Sequence, residues 1–323
     1  EPWTMVDTPL VGIAMYFDLQ DEQNADELAL WKVRPHLPPS LYALLTHDGS
    51  RWDAPMQGQA RGAARLPSAD EVDLRALPAG PEVASTAAPE PFAVGSNNFA
   101  VAGALTADGR AIVADDMHLG LRAPNVWFRV RLRYPDPGAP GGRVDVTGFS
   151  LPGIPGVVVG SNGHVAWGFT NSYGDWADWQ RVPACGAHVP PHPLAQPCPR
   201  VQVITERIDV AGEAPVELRV HETAWGPVLH REPDGSALAL RWVAHLPGAI
   251  DLGLTDLARA GSLDAALAVR AGMPAQNLVV GDAGGRIAWK LLGPMPRRAP
   301  GCEPVGVSAA TDWPPWSLSF EDA

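Results

Sequence analysis

The change in texture at Gly95-Ser96 constrains this chain more than any other feature. Upstream, from Asp48 to Pro91, scattered Pro, Ala and Gly with little periodicity read as a linker or surface connection. Downstream the chain breaks into short apolar runs punctuated by glycines, the pattern of a β-rich body. The junction itself, Pro91-Phe92-Ala93-Val94-Gly95-Ser96-Asn97-Asn98-Phe99-Ala100-Val101, sets a serine directly after a glycine. Two readings stand there. One is a Gly-Ser turn entering a strand. In the other the Ser96 hydroxyl attacks the Gly95 carbonyl, an N-to-O acyl shift gives an ester, and water releases a new amino terminus. A serine freed in this way carries nucleophile and base on one residue. Its α-amine titrates at about pH 8, close to where a general base works best.

The residues after the junction predict strands. Residues 98–101 and 111–114 flank the turn Thr106-Ala107-Asp108-Gly109 and read as a hairpin. Residues 127–134 alternate strictly and predict a strand with one charged face. A second hairpin is expected around Ser161-Asn162-Gly163, and its first run, Val157-Val158-Val159, is apolar throughout, as in a strand buried on both faces. Further strands are expected at 201–210, 216–221 and 238–243, with a last hairpin around Asp282-Ala283-Gly284-Gly285. Helical spacing occurs within residues 1–45 and returns at 252–260 and 263–270, the latter with Ser262 placed as N-cap. Many strands with helices confined to a few places predict an α+β fold with large antiparallel sheets.

Composition narrows the function classes. Of the 323 residues 46% are hydrophobic and 19% charged, which is globular. Net charge is −12 and the only lysines are Lys32 and Lys290, so no basic stripe is available for nucleic acid. No apolar run approaches the roughly 18 residues of a membrane span. Both ends, Glu1-Pro2-Trp3 and the aromatic stretch through Trp313 and Trp316, read as cut from a longer polypeptide. Cys185, Cys198 and Cys302 form no CxxC pair and have no histidine at ligand spacing, which argues against zinc. Cys185 and Cys198 flank a Pro-rich loop, where either a disulfide or free thiols fit the sequence.

Common catalytic signatures are missing. No serine carries glycines at both second-neighbour positions, His221-Glu222 lacks a zincin's second histidine, and no Gly-rich phosphate loop precedes a helix. Four unusual stretches remain: Asp115-Asp116-Met117-His118-Leu119, Leu151-Pro152-Gly153-Ile154-Pro155-Gly156, Ala166-Trp167-Gly168-Phe169-Thr170-Asn171 and Pro274-Ala275-Gln276-Asn277. Each sets polar groups beside a buried apolar run, where they need partners.

Together with Gly-Ser-Asn-Asn-Phe at 95–99 and Gly-Ser-Asn-Gly at 160–163, these stretches resemble the penicillin acylase family of N-terminal nucleophile hydrolases, in the family's order and near its spacing. The likeness runs from about Ser96 to Arg298. It implies an αββα four-layer sandwich of antiparallel sheets. Residues 1–95 would be the C-terminal part of an α-subunit with its linker, and 96–323 the N-terminal part of a β-subunit. Cleavage between Gly95 and Ser96 would leave an α/β heterodimer, and the family implies a periplasmic or secreted location. The substrate class implied is an N-acylated small molecule such as a β-lactam antibiotic, an acyl-homoserine lactone or a lipopeptide, with no cofactor for catalysis.

By the same resemblance Ser96 is the nucleophile, and the oxyanion donors match the main chain of Asn171 and the side chain of Asn277. His118 matches a position lying against the nucleophile, and Arg298 an arginine that helps orient the site, with Arg297 next to it. Asp175 and Asp178 match ligands of a structural calcium in some members, although Trp176 stands where the family has an acid. Leu119 and Val159 match acyl-pocket positions that are aromatic in phenylacetyl-specific members, so aliphatic walls here favour a linear fatty-acyl amide. The competing readings are a non-catalytic, unprocessed β-rich binding fragment, and a serine hydrolase using His118 oriented by an aspartate.

Overall fold

The computed structural model describes residues 2–20, 24–55, 58–73, 75–76, 95–119, 123–184 and 200–298, with the backbone of two short strands at 307–309 and 317–319. Residues 91–94 of the junction and Cys185, Cys198 and Cys302 lie outside the described residues.

The N-terminal helical region is three helices, α1 (Asp7–Leu19), α2 (Ala25–Val33) and α3 (Pro39–Leu45). From the junction onward the chain is mostly β. Strands β1 (Gly95–Val101) and β2 (Ile112–His118) form the first expected hairpin, followed by β3 (Phe128–Pro135), β4 (Arg143–Ser150), β5 (Val159–Ser161) and β6 (Val165–Asn171). Next come β7 (Ala177–Val182), β8 (Gln202–Ile208), β9 (Val216–Glu222), β10 (Val228–Arg231) and β11 (Ala237–Trp242). A short α4 (Leu263–Leu267) precedes β12 (Gln276–Asp282), β13 (Ile287–Leu292) and β14 (Met295–Arg297), and β15 (Val307–Ala309) and β16 (Ser317–Ser319) end the described chain.

Six strands form one antiparallel sheet in the order β13-β12-β6-β5-β4-β3. One face carries Trp167, Phe169, Leu278 and Val280, buried against Leu257, Leu263 and Ala266 of the segment containing α4. The other face receives the β1–β2 hairpin. Glycines make that approach feasible. A Cβ on Gly168 of β6 would stand 2.8 Å from the Asp115 side chain, and one on Gly281 of β12 would stand 2.8 Å from Ala111. The hairpin therefore lies directly on the backbone of the sheet. Alternation along it turns Ser96, Asn98, Asp115 and Met117 toward the sheet, while Asn97, Phe99, Asp116 and His118 face outward and are exposed.

A second sheet, β10-β11-β7-β15, builds its own core on Trp179, Leu238, Leu240 and Trp242, packed with Tyr16 of α1 and Leu28 of α2. Polar tips tie these helices down. The Tyr16 hydroxyl donates to Ala249 O at 2.6 Å, Trp242 Nε1 to Gln20 Oε1 at 3.0 Å, and Trp179 Nε1 to Asn24 O at 3.1 Å.

Several sequence expectations shift. The strand expected from Val157 begins only at Val159 in β5, because Val158 N–H bonds Phe149 O outside the β5 ladder. Residues 253–259 form a 3₁₀ helix in place of the expected α-helix; Asp251 Oδ1 accepts from Gly253 and Gly272 N–H and pins its start. α4 has the expected Ser262 cap, accepting from Ala265 N–H, yet ends at Leu267. There the buried Lys290 donates to the carbonyls of Leu267 and Val269 at 2.6 and 2.8 Å, satisfying the groups a continuing helix would have used. Among the described residues no helix is long and apolar enough to cross a membrane.

Candidate active site

Ser96 stands at the start of β1, paired with Met117 in register, and its hydroxyl donates to the carbonyl of Gly95 at 2.7 Å. The hydroxyl and the preceding carbonyl are thus direct neighbours. Ser96 also lines an apolar cavity of about 110 Å3 whose walls include Leu119 and Val159. Both expected acyl-pocket residues therefore meet the serine in one space. Met15 and Leu19 of α1 supply another wall, so residues on both sides of the junction enclose it. Trp127 and Phe169 line it too, which adds rings to the aliphatic walls. The sequence marks Trp127 only as part of an alternating strand and Phe169 only as part of an unusual stretch, so neither reads as a pocket wall.

Asn171 ends β6 and Asn277 is the second residue of the adjacent β12, where Gln276 is opposite Asn171 and Asn277 opposite Thr170. Asn277 Nδ2 donates to Asn171 O at 3.1 Å, and Asn98 Nδ2, from the serine's own strand, donates to Asn277 O at 3.2 Å. The Asn171 side chain turns elsewhere: its Nδ2 donates to Leu19 O at 2.7 Å, while its Oδ1 accepts from Gln276 Nε2 at 2.9 Å. Side-chain bonds thus tie β1, β6 and β12 to one another within a few residues of Ser96, although neither Asn171 nor Asn277 lines the cavity.

His118 lies opposite Gly95 in the hairpin, and its Nε2 is 2.9 Å from Asp116 Oδ2. Both side chains of that pair project from the outward face, on the far side of the hairpin from the Ser96 side chain. An Asp-His couple exists, then, but it is turned away from the serine, which removes the reading of a histidine-activated serine hydrolase.

The Arg298 side chain is engaged by two carboxylates. Its Nη2 lies 2.7 Å from Asp175 Oδ1 and its Nε 2.9 Å from Asp178 Oδ2, with Asp178 fully buried. Burial pushes the Asp175 carboxyl up to about 7, against the pull of the neighbouring guanidinium. The two carboxylates proposed for calcium thus face a guanidinium, the geometry of an ion pair. Among the described residues no group of three or more acidic, histidine or cysteine side chains converges on a metal position. The donor set does not fit a calcium cage, which needs six to eight oxygens.

Asp115 is the functional-looking residue that sequence reading left unassigned. Directly opposite Asn98 and pressed on Gly168, neither of its carboxyl oxygens reaches a donor with hydrogen-bonding geometry. Burial pushes it up to about 7, only partly offset by the nearby Phe169 N–H.

With this geometry in place, comparison with known proteins is direct. The family model for penicillin amidase matches residues 1–322. The chain belongs to the penicillin amidase family. It is 32% identical over 229 residues to the acyl-homoserine lactone acylase QuiP of Pseudomonas aeruginosa, covering 64% of this chain and 25% of that protein. It is 30% identical over 332 residues to the penicillin acylase 2 proenzyme of Pseudomonas sp. strain SE83, covering 97% of this chain and 37% of that protein. Its fold matches the thermostable penicillin G acylase from Alcaligenes faecalis with a TM-score of 0.54 at 21% identity, over 69% of this chain and 40% of that one. The chain therefore shares the α+β fold of that acylase, and it spans a quarter to two-fifths of the length of these relatives. Its family is one of acylases that hydrolyse N-acyl amides.

Proposed function

We propose that this chain cuts itself between Gly95 and Ser96 and then hydrolyses N-acyl amides through an acyl-enzyme on Ser96. The observation that carries the reading is the Ser96 hydroxyl at 2.7 Å from Gly95 O on the edge of an apolar cavity. Attack by Oγ on the Gly95 carbonyl carbon forms the C–O bond and breaks the C–N bond, leaving an ester and the free α-amine of Ser96. Water hydrolyses the ester. In the second reaction that amine takes the hydroxyl proton as Oγ adds to the substrate amide carbonyl, then gives it to the departing amine. The tetrahedral oxyanion accepts from Asn171 N–H and Asn277 Nδ2, and deleting one such donor costs about 3–4 kcal/mol of barrier. No cofactor enters the scheme.

The acyl group would occupy the cavity beside Leu119 and Val159. The aliphatic side chains of Leu119 and Val159 support a linear fatty-acyl chain, as in an acyl-homoserine lactone or lipopeptide, while Trp127 and Phe169 leave ring surface that a phenylacetyl group could also use; action outside the cytoplasm suits such substrates. The first experiment is intact-protein mass spectrometry of the chain beside Ser96→Ala. Two fragments meeting at Gly95/Ser96, absent from the variant, are expected. An uncut chain would favour the other reading, a non-catalytic binding fragment of the same fold. Hydrolysis of paired aliphatic and phenylacetyl amides then tests the acyl preference, which fails if the aromatic substrate is turned over faster.

A further inference from the structure

An amide side chain has an accepting end and a donating end, and half a turn about its last bond exchanges them. For Asn277 that half-turn matters, since only the NH2 end can stabilise an oxyanion. The structure contains a group that settles the choice. Trp289 of β13 lies opposite Val279 and diagonal to Asn277, on the sheet face that receives the β1–β2 hairpin. Its Nε1 is 3.1 Å from Asn277 Oδ1. An indole N–H donates and never accepts, so the end facing Trp289 must be the carbonyl. The NH2 end then points to Asn171 O, which engages one of its two hydrogens. Asn98, two residues from Ser96 and on the same face of β1, holds the backbone carbonyl of this same residue.

We propose that Trp289 is a positioning residue that fixes the polarity of the Asn277 amide, so that an N–H remains available to the oxyanion formed at Ser96. The inference rests on the reading of Asn277 as an oxyanion donor. Trp289 itself touches no substrate. Without its indole N–H, the amide is free to turn and offer a carbonyl oxygen to a developing negative charge, which repels it.

Two measurements separate this inference from the reading beneath it. The first needs no activity. In ¹H–¹⁵N spectra of the full chain, the Trp289 indole signal is the one of twelve tryptophans lost in Trp289→Phe, and the Asn277 side-chain pair is the one lost in Asn277→Ala. The indole signal should move upfield and exchange faster in Asn277→Ala, and the Asn277 pair should lose protection in Trp289→Phe. If either stays where it was, the proposal is overturned. The second is a double-mutant cycle on hydrolysis. Trp289→Phe should lower kcat by between about tenfold and the roughly 10²–10³-fold of an outright donor deletion, with KM unchanged, and cost nothing further in an Asn277→Ala background. An equal loss in both backgrounds sinks the positioning role. An unchanged kcat in Asn277→Ala sinks the oxyanion reading instead and leaves the spectra to judge the hydrogen bond. Replacing the indole by its benzothiophene isostere, which deletes only the N–H, gives the same comparisons if the phenylalanine variant does not fold.

Discussion

Burial holds the Asp115 carboxyl well above the usual carboxylate range, and this has a measurable consequence at the scale of one residue. Its carboxyl rises from 3.8 to about 7 on folding, chiefly through burial. Below pH 4 both folded and unfolded chains carry the proton, so the residue costs nothing. Between pH 4 and 7 the unfolded chain ionises first, so stability falls as pH rises, and above 7 the cost is constant. Asp115→Asn, which keeps the shape without the charge, is therefore expected to raise the melting temperature at pH 8 and leave it unchanged at pH 4. Asp175, pushed up to about 7 as well, adds to the same slope and stays in the variant as an internal reference. Equal gains at both pH values would mean that Asp115 is not titrating as described. The residues that meet at the site were partly legible in the sequence. Ser96, Leu119 and Val159, which the family pattern marks, line one cavity. Trp289 and Asn98 carried no such mark, since their importance lies in bonds to Asn277 across strands far apart in sequence.

Strands and hairpins depend on contacts the sequence states with different clarity. The hairpins at 95–118 and 276–292 were readable from turn chemistry and flanking apolar runs. β4 was missed although Val144 and Val146 alternate with exposed neighbours, because Gly148 and the polar residues between dilute the pattern. The end of α4 was unreadable for another reason: it is set by Lys290, 23 residues beyond Leu267. Lys290→Met should cost about 1–3 kcal/mol by leaving a buried and a part-buried carbonyl without their charged donor, measured by urea unfolding. Gly168 makes a sharper test of how the hairpin is seated. A methyl at that position collides with Asp115, so Gly168→Ala should cost about 1–3 kcal/mol as an overpacked contact and slow self-cleavage by lifting Ser96 from its place. Pairing it with Asp115→Ala should restore part of both losses. A Gly168→Ala protein with unchanged stability and processing would mean the hairpin is not seated on β6 in this way.

At the scale of the molecule, the sequence fragments on either side of the junction are parts of one body. α1 contributes Met15 and Leu19 to the cavity, Tyr16 to the core of the second sheet and Leu19 O to Asn171, all of which belong to the chain after Ser96. Cohesion here is a matter of interlocked side chains and owes little to the peptide link between Gly95 and Ser96. Severing that link would add a chain end and an amine while leaving the packing to hold the pieces together, much as a sprung joint stays shut after its pin is drawn. Cut protein should accordingly elute from gel filtration as a single species in buffer and come apart only in denaturant, with an unfolding midpoint that falls on dilution where the uncut Ser96→Ala chain's does not. Shared packing of this kind would let one chain become two without becoming two bodies.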